Sequence, residues 1–276
     1  KEAENEYRQR ENEVVIEVVD QYLKLEQKKL NLKVKQNKLK LRKKELANIK
    51  SQVKKGNKKQ VKLMAKRTEY NSAQYNLKGA QDEYDLLLQQ FKFNLGLTKQ
   101  QKISFQAITS PNIWKIKSRQ AVEIAKRNSP ILTLKNKQIK LSKVRLQRNK
   151  AADTPQLNIK KLKNKKQLAK LKYQKSLNQL ITSVKKSYQK LKQAEAGLKL
   201  RQQQLAQVKK EYEIIEEYQK KGLRSKNELL KAKIDYLQSK YNYQKSITNY
   251  YLAALRLQKK IGMQVEVNFN ELPTKE

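Results

Sequence analysis

The residues best placed to do chemistry lie in one short stretch, YQKKGLRSKNELLKA, from Tyr218 to Ala232. Gly222 interrupts a helical pattern there, Arg224 follows two residues later, and Ser225 with Glu228 spells Ser-x-x-Glu. That spacing is a capping box, in which the serine hydroxyl and the glutamate carboxylate each satisfy an amide left open at a helix start. The positive end of the helix dipole also favours Glu228 as an anion. Arg224 is expected to project beyond the turn, free to pair with an acid on another hairpin or on another protein. The rest of the inventory excludes more than it offers. The chain has no histidine and no cysteine, which removes the commonest general base, the thiolate nucleophile and any disulfide framework, and leaves the redox compartment open. With no carboxylate pair, phosphate loop or metal-ligand cluster, the sequence reads as a non-enzyme without cofactor or metal.

The turn that carries these residues has a counterpart. Residues 15–97 align without a gap on 181–263 at a constant offset of 166. Val18 falls on Val184, Tyr22 on Tyr188, Leu32 on Leu198, Gly56 on Gly222, Tyr84 on Tyr250 and Gly96 on Gly262. Matched glycines and tyrosines favour duplication over the chance alignment of two Lys/Leu-rich helices, and both turns are expected at the same end of the molecule. Gly56 and Gly222 most simply close helices in a left-handed conformation.

Each copy reads as a long helix, a tight turn and a returning helix. In the first ascending arm Val15, Val18, Tyr22, Leu25, Leu32, Leu39, Leu46 and Val53 keep the 3-4 spacing of a coiled-coil seam, with polar Lys29 and Gln36 between them. The second copy repeats it with Ile181, Val184, Tyr188, Leu191, Leu198, Leu205 and Tyr212, interrupted by Glu195 and Gln202. The first descending arm alternates large and small residues along Leu63, Lys66, Tyr70, Ala73, Leu77, Ala80, Tyr84, Leu87 and Phe91. LNLKVK, Leu30 to Lys35, has a strand-like period of two, but no Gly or Pro occurs before Gly56, so helix is the better reading. Apolar residues outside the seam imply packing on two sides. A helix of ~54 residues would be about 81 Å long, so the expected fold is all-α, built of long antiparallel hairpins.

Between the copies the texture changes. GLTKQQKISFQAITSPNIWKIKS mixes β-prone residues with a proline and the only tryptophan, and reads as a small mixed linker. A helix restarts near Ser118, and in Asn128-Ser129-Pro130 the serine caps and the proline takes the first turn. Pro155 forbids smooth continuation after AADT. The tail after Gly262 alternates apolar and polar residues and is expected to add a short strand. The resulting division is a first hairpin over 1–97 with its tip near 56, a linker over 98–118, a lead-in helix over 119–159, a second hairpin over 160–263 with its tip near 222, and a tail over 264–276.

Charge sets the class of partner. Lys and Arg number 65 against 25 Asp and Glu, a formal +40, which attracts polyanions such as nucleic acid, anionic lipid or phosphorylated glycans. Runs such as KKLKNKKQ, Lys160 to Gln167, read first as solvated faces. The 14 tyrosines sit at core spacing and read as packing residues rather than base-stacking platforms. No apolar run reaches the ~18 residues of a membrane-spanning helix, and Lys1 does not begin a signal peptide.

The order of these elements resembles the TolC-like outer-membrane efflux protein family. AVEIAKRNSPIL (Ala121 to Leu132) is similar to that family's Ala-Leu-x-x-Asn-x-Pro-x-Leu helix, and VRLQRNKAADTPQLNI (Val144 to Ile159) is similar to its approach to the membrane barrel. The Tyr218 to Ala232 stretch resembles its Tyr-x-x-Gly-x-x-Ser/Thr-x-x-Asp-x-Leu-x-Ala hairpin, while Leu95-Gly96-Leu97 and Ile261-Gly262-Met263 look like the ends of its descending helices. Two departures stand out. After Pro155 the chain passes directly into lysine-rich helix, with no room for the family's pair of barrel strands, which need ~9–11 residues each. The counterpart of Ala121 to Ile159 for the first copy would precede Lys1. The expectation is a periplasmic helical part that lacks one lead-in helix and the barrel.

The resemblance implies a subunit of a trimeric tunnel in the periplasm and outer membrane. It would serve multidrug efflux or type I secretion as a passive conduit, with a periplasmic adaptor (membrane fusion) protein and an inner-membrane pump as partners. The tips Gly56, Asn57, Lys58, Gly222, Leu223, Arg224 and Ser225 would meet the adaptor. Lys62, Arg224, Glu228 and Lys231 would ring the pore aperture, with Lys62 and Lys231 standing where the family carries acids, so a cation-attracting gate is not expected. Two other readings remain open: a basic coiled-coil rod that binds nucleic acid or an anionic envelope polymer through counterion release, and a purely structural spacer. Nucleic acid is a partner only in the rod reading.

Overall fold

The computed structural model describes residues 2–98, 100–103, 111–152 and 154–265. Six helices account for most of them: α1 (Glu2–Lys54), α2 (Gln60–Asn94), α3 (Ser118–Asn128), α4 (Pro130–Ala151), α5 (Gln156–Lys220) and α6 (Lys226–Lys260). No strand occurs among the described residues. LNLKVK lies inside α1, so the absence of helix breakers outweighs its local alternation. The tail in which a strand is expected is described only as far as Val265, and residues 99 and 104–110 of the mixed linker lie outside the described residues.

Helix ends follow the punctuation in the sequence. Gly56, Gly96, Gly222 and Gly262 have φ of +76°, +67°, +76° and +73°, a region in which a Cβ crowds the backbone. Around each glycine the chain closes a Schellman motif. Asn57 N–H donates to Gln52 O at 2.9 Å and Leu223 N–H to Tyr218 O at 2.9 Å; Leu97 N–H donates to Lys92 O at 2.9 Å and Met263 N–H to Gln258 O at 3.0 Å. These donors and acceptors pair at the 166-residue offset. So do the bounds of α2 and α6, each 35 residues long. Ser129 caps α4, its Oγ accepting from Leu132 N–H at 3.3 Å with Pro130 in the first turn. Only residues 152–155 separate α4 from α5.

Two compact units partition the described residues: one comprises 2–12, 113–193 and 253–265, the other 13–112 and 194–252. In the second unit α1 packs on two sides. Leu25 and Leu32 of the expected seam are buried, but so are Val19, Leu23, Val34 and Leu41, which form a separate stripe. Leu41 joins Leu230 and Ile234 of α6 in one cluster. The same unit buries α6 along Tyr243, Ile247, Tyr250 and Leu252, whereas α2 buries only Ala80 and Phe91. The opposite side of α2 carries Val61, Met64, Tyr75, Leu86 and Phe93, all exposed, with Tyr75 at 81% and Phe93 at 83%. Their steps of three, eleven, eleven and seven residues are close to whole numbers of helical turns, so they share one side. Tyr250 is packed in the role read for the tyrosines, whereas Tyr75 stays exposed, because among the described residues α2 is buried on one side only.

In the first unit a buried asparagine fixes the chain after α6. Asn12 donates from Nδ2 to Met263 O at 3.3 Å and accepts at Oδ1 from Val265 N–H at 2.8 Å. Asn128, at the end of α3, donates to Ile261 O and Gly262 O at 3.2 and 3.1 Å. A Cβ added at Gly262 would stand 2.7 Å from Asn128 Cβ, so that glycine is required by close approach as well as by its φ.

Candidate functional site at the hairpin tips

The α5–α6 turn builds its site from residues inside seven positions of one another. Gly222 ends α5, and Ser225 Oγ accepts from Glu228 N–H at 3.1 Å while Glu228 Oε2 accepts from Ser225 N–H at 2.8 Å. The capping box is thus reciprocal. The remaining carboxylate oxygen, Oε1, accepts from Arg224 Nη1 at 2.8 Å. Arg224 is not free beyond the turn, as the sequence suggested; the cap orients Glu228 so that its second oxygen meets the guanidinium one turn back. The Ser225 backbone N–H, the Arg224 guanidinium and the Ser225 hydroxyl together hold the Glu228 carboxyl down to about 2. Lys221 pairs with Glu217 at 2.5 Å on the other arm. Leu223 is exposed at the apex.

The α1–α2 turn has the same backbone and different chemistry. Gly56, Asn57, Lys58 and Lys62 are exposed, and Lys59, at the cap position of α2, gives no side-chain hydrogen bond to the helix start. Lys62 occupies the place that Glu228 holds in the other copy, so the first tip presents cations without the acid.

Further along the arms the two hairpins meet. Arg42 Nη1 contacts Glu45 Oε2 at 2.6 Å and Glu69 Oε2 at 2.9 Å, and Lys66 Nζ contacts the same oxygens at 3.3 and 2.9 Å. Burial pushes the Glu45 carboxyl up, but Arg42 and Lys66 outweigh it and hold it below the usual carboxylate range. The bond to Glu69, opposed by burial and aided by Glu45, raises Lys66. Beside this network lies a cavity of about 750 Å³ lined by residues of α1, α2 and α6, Lys231 among them. Lys231 therefore stands with Lys66 in this groove and takes no part in the Arg224–Glu228 cluster. Lys66 and Lys231, each about one helical stretch beyond its turn glycine, line the same cavity, which puts both turns at one end of this unit. Sequence reasoning placed Lys66 on a seam and did not find the network; in a chain so rich in Lys, pairing between helices leaves no local signal. In the second hairpin Tyr212 and Tyr236 stack instead, with centroids 5.5 Å apart.

No family model matches the sequence, and no curated protein matches it. Solved structures do. CusC, whose crystal structures concern folding and transmembrane channel formation, matches 92% of this chain and 78% of its own, with a TM-score of 0.65 at 12% identity. The CmeC outer membrane channel of Campylobacter jejuni matches 96% of this chain and 66% of its own, at 0.61 and 14%. The outer membrane protein VceC of Vibrio cholerae matches 96% and 73%, at 0.58 and 14%. The chain shares the long-helix fold of these solved channel structures. At these identities the likeness is one of fold, and it agrees with the order of elements on which the sequence resemblance rests.

Proposed function

We propose that the chain is the helical part of an outer-membrane channel subunit: a non-enzymatic conduit for export across the periplasm, duplicated internally and gated at its hairpin tips. The observation that carries this reading is the match of 92% of the chain to CusC and 96% to CmeC, which no compact enzyme fold would give. Three copies would close the tunnel. The exposed side of α2, where Val61, Met64, Tyr75, Leu86 and Phe93 recur between polar residues, supports assembly, because large apolar side chains lined up on one helix side suit a partner surface. The tip residues Gly56, Asn57, Lys58, Gly222, Leu223, Arg224 and Ser225 would contact a periplasmic adaptor, itself joined to an inner-membrane pump. Lys62, Arg224 and Glu228 would surround the aperture. In this scheme Arg224 exchanges its partner on opening: paired with Glu228 in one chain, it becomes available to a neighbour when the tips splay.

The test is export by the intact protein in its own envelope. Arg224→Glu should raise conductance in a planar bilayer or alter dependence on the adaptor, with helix content unchanged by circular dichroism. If neither conductance nor efflux moves, the gate assignment fails and Ser225 and Glu228 are a cap alone.

One observation favours a second reading. From Lys135 to Lys175 the only acid in the sequence is Asp153, and none of the cations there meets a carboxylate among the described residues. Such a field suits a rod that binds an anionic polymer. Salt-dependent binding of a polyanion by the monomer, without a closed assembly, would favour it.

A further inference from the structure

We propose that the groove between α1, α2 and α6 binds an amphipathic organic anion, a molecule with an apolar body and a carboxylate, sulfonate or sulfate head. The cavity measures about 750 Å³, within the ~300–1,000 Å³ typical of small-molecule sites. Its base is apolar: Leu41 and Ile234 are buried there, beside Ala73. Its wall is the network of Arg42 and Lys66 with Glu45 and Glu69, in which each cation touches both carboxylates. These charges balance one another and fix the side chains. The charge left over belongs to Lys35, Lys38 and Lys231, opposed by Asp235 alone, and none of the three ammonium groups makes a hydrogen bond or ion pair among the described residues.

This combination selects its ligand class. A bare inorganic anion would meet the lysines but leave half-buried Ala73 and the cavity-facing edges of Leu41 and Ile234 against water; a neutral amphiphile would cover the base and leave the lysines without a counter-charge. A head group between Lys38 and Lys231, with the body laid over Leu41 and Ile234, satisfies both. Nor is the groove a by-product of the duplicated fold. In the second copy the positions of Arg42, Lys66 and Ala73 are held by Val208, Ala232 and Ser239, so the charged wall exists in the first hairpin only. The site stands on one unit of a single chain and does not depend on the channel reading.

The experiment uses the full chain and two fluorescent probes, anionic 1-anilinonaphthalene-8-sulfonate and its uncharged analogue N-phenyl-1-naphthylamine, with cholate as competitor. The expected result is one tight anionic probe per chain, displaced by cholate, with the uncharged analogue weaker. Lys38→Glu with Lys231→Glu should weaken the anionic probe by about tenfold or more. Lys163→Glu with Lys165→Glu makes the same change of net charge on α5 and should leave it in place. Ala73→Trp should fill the cavity and remove binding, with circular dichroism reporting the fold. Equal loss in both double variants would mean a response to net charge alone and would overturn the site, as would undiminished binding in Lys38→Glu with Lys231→Glu or equal affinity for the uncharged probe. Because Lys38 and Lys231 lie at the rim rather than in the core, this comparison decides the matter even if Ala73→Trp does not fold.

Discussion

Glu228 is the residue on which the tip chemistry turns. Both of its oxygens are occupied, one by the Ser225 N–H and one by Arg224, and its carboxyl is held down to about 2 from 4.5. A carboxylate whose folded value is depressed stabilises the fold above its unfolded value and loses that contribution as pH falls through the folded one. The local structure at the start of α6 should therefore be intact above about pH 4.5 and loosen as pH falls toward about 2. Carboxyl NMR should show Glu228 titrating near the bottom of that window, with Ser225→Ala and Arg224→Ala each moving the midpoint upward; a midpoint at the ordinary carboxylate value in the unaltered chain would contradict the geometry. At this scale the sequence was informative where partners are neighbours. Ser-x-x-Glu is a local pattern and was readable, but it left open which group the second oxygen meets. Arg42 with Glu45 and Lys66 with Glu69 are three-residue spacings that the sequence offered, but the contacts that join the two pairs cross from α1 to α2 and had no local signature.

Elements were legible through their ends. Six glycines in 276 residues leave few places to stop a helix, and the four with positive φ close α1, α2, α5 and α6. The matched pair Gly96 and Gly262 separates two causes. Both need a left-handed backbone, which costs an alanine roughly 1–2 kcal/mol, but only at Gly262 would a Cβ strike another residue, Asn128. Gly262→Ala should therefore lower the melting temperature clearly more than Gly96→Ala. Equal losses would mean that Asn128 gives way and that the junction of α3 with the end of α6 is loose. Asn12→Ala should cost about 1–3 kcal/mol at the same junction by chemical denaturation, since it leaves the Val265 N–H without its partner. What periodicity could not supply was the second seam of α1. A 3-4 register fits Val15 to Val53 well, but it does not show that a second stripe, Val19, Leu23, Val34 and Leu41, is also buried, with α6 packed on Leu41. A single helix does not record how many neighbours it has.

The whole molecule carries two opposed instructions for assembly. The exposed apolar side of α2 asks for a partner, whereas +40 per chain would gather about +120 in a trimer, a repulsion that salt screens over about 10 Å at 0.1 M. Self-association should accordingly be weak at low ionic strength and strengthen with salt, and Tyr75→Glu with Leu86→Glu should abolish it in analytical ultracentrifugation while helix content is kept. Stable trimers at low salt would show that the charge does not oppose assembly, and association untouched by the substitutions would show that α2 is not the face used. The central claim is that these hairpins wall a conduit, and single-particle electron microscopy of the protein taken intact from its envelope tests it most directly. The account predicts threefold particles with a central opening walled by helices and with the Gly56 and Gly222 turns gathered at one end. Separate rods, or closed bundles with no lumen, would contradict it.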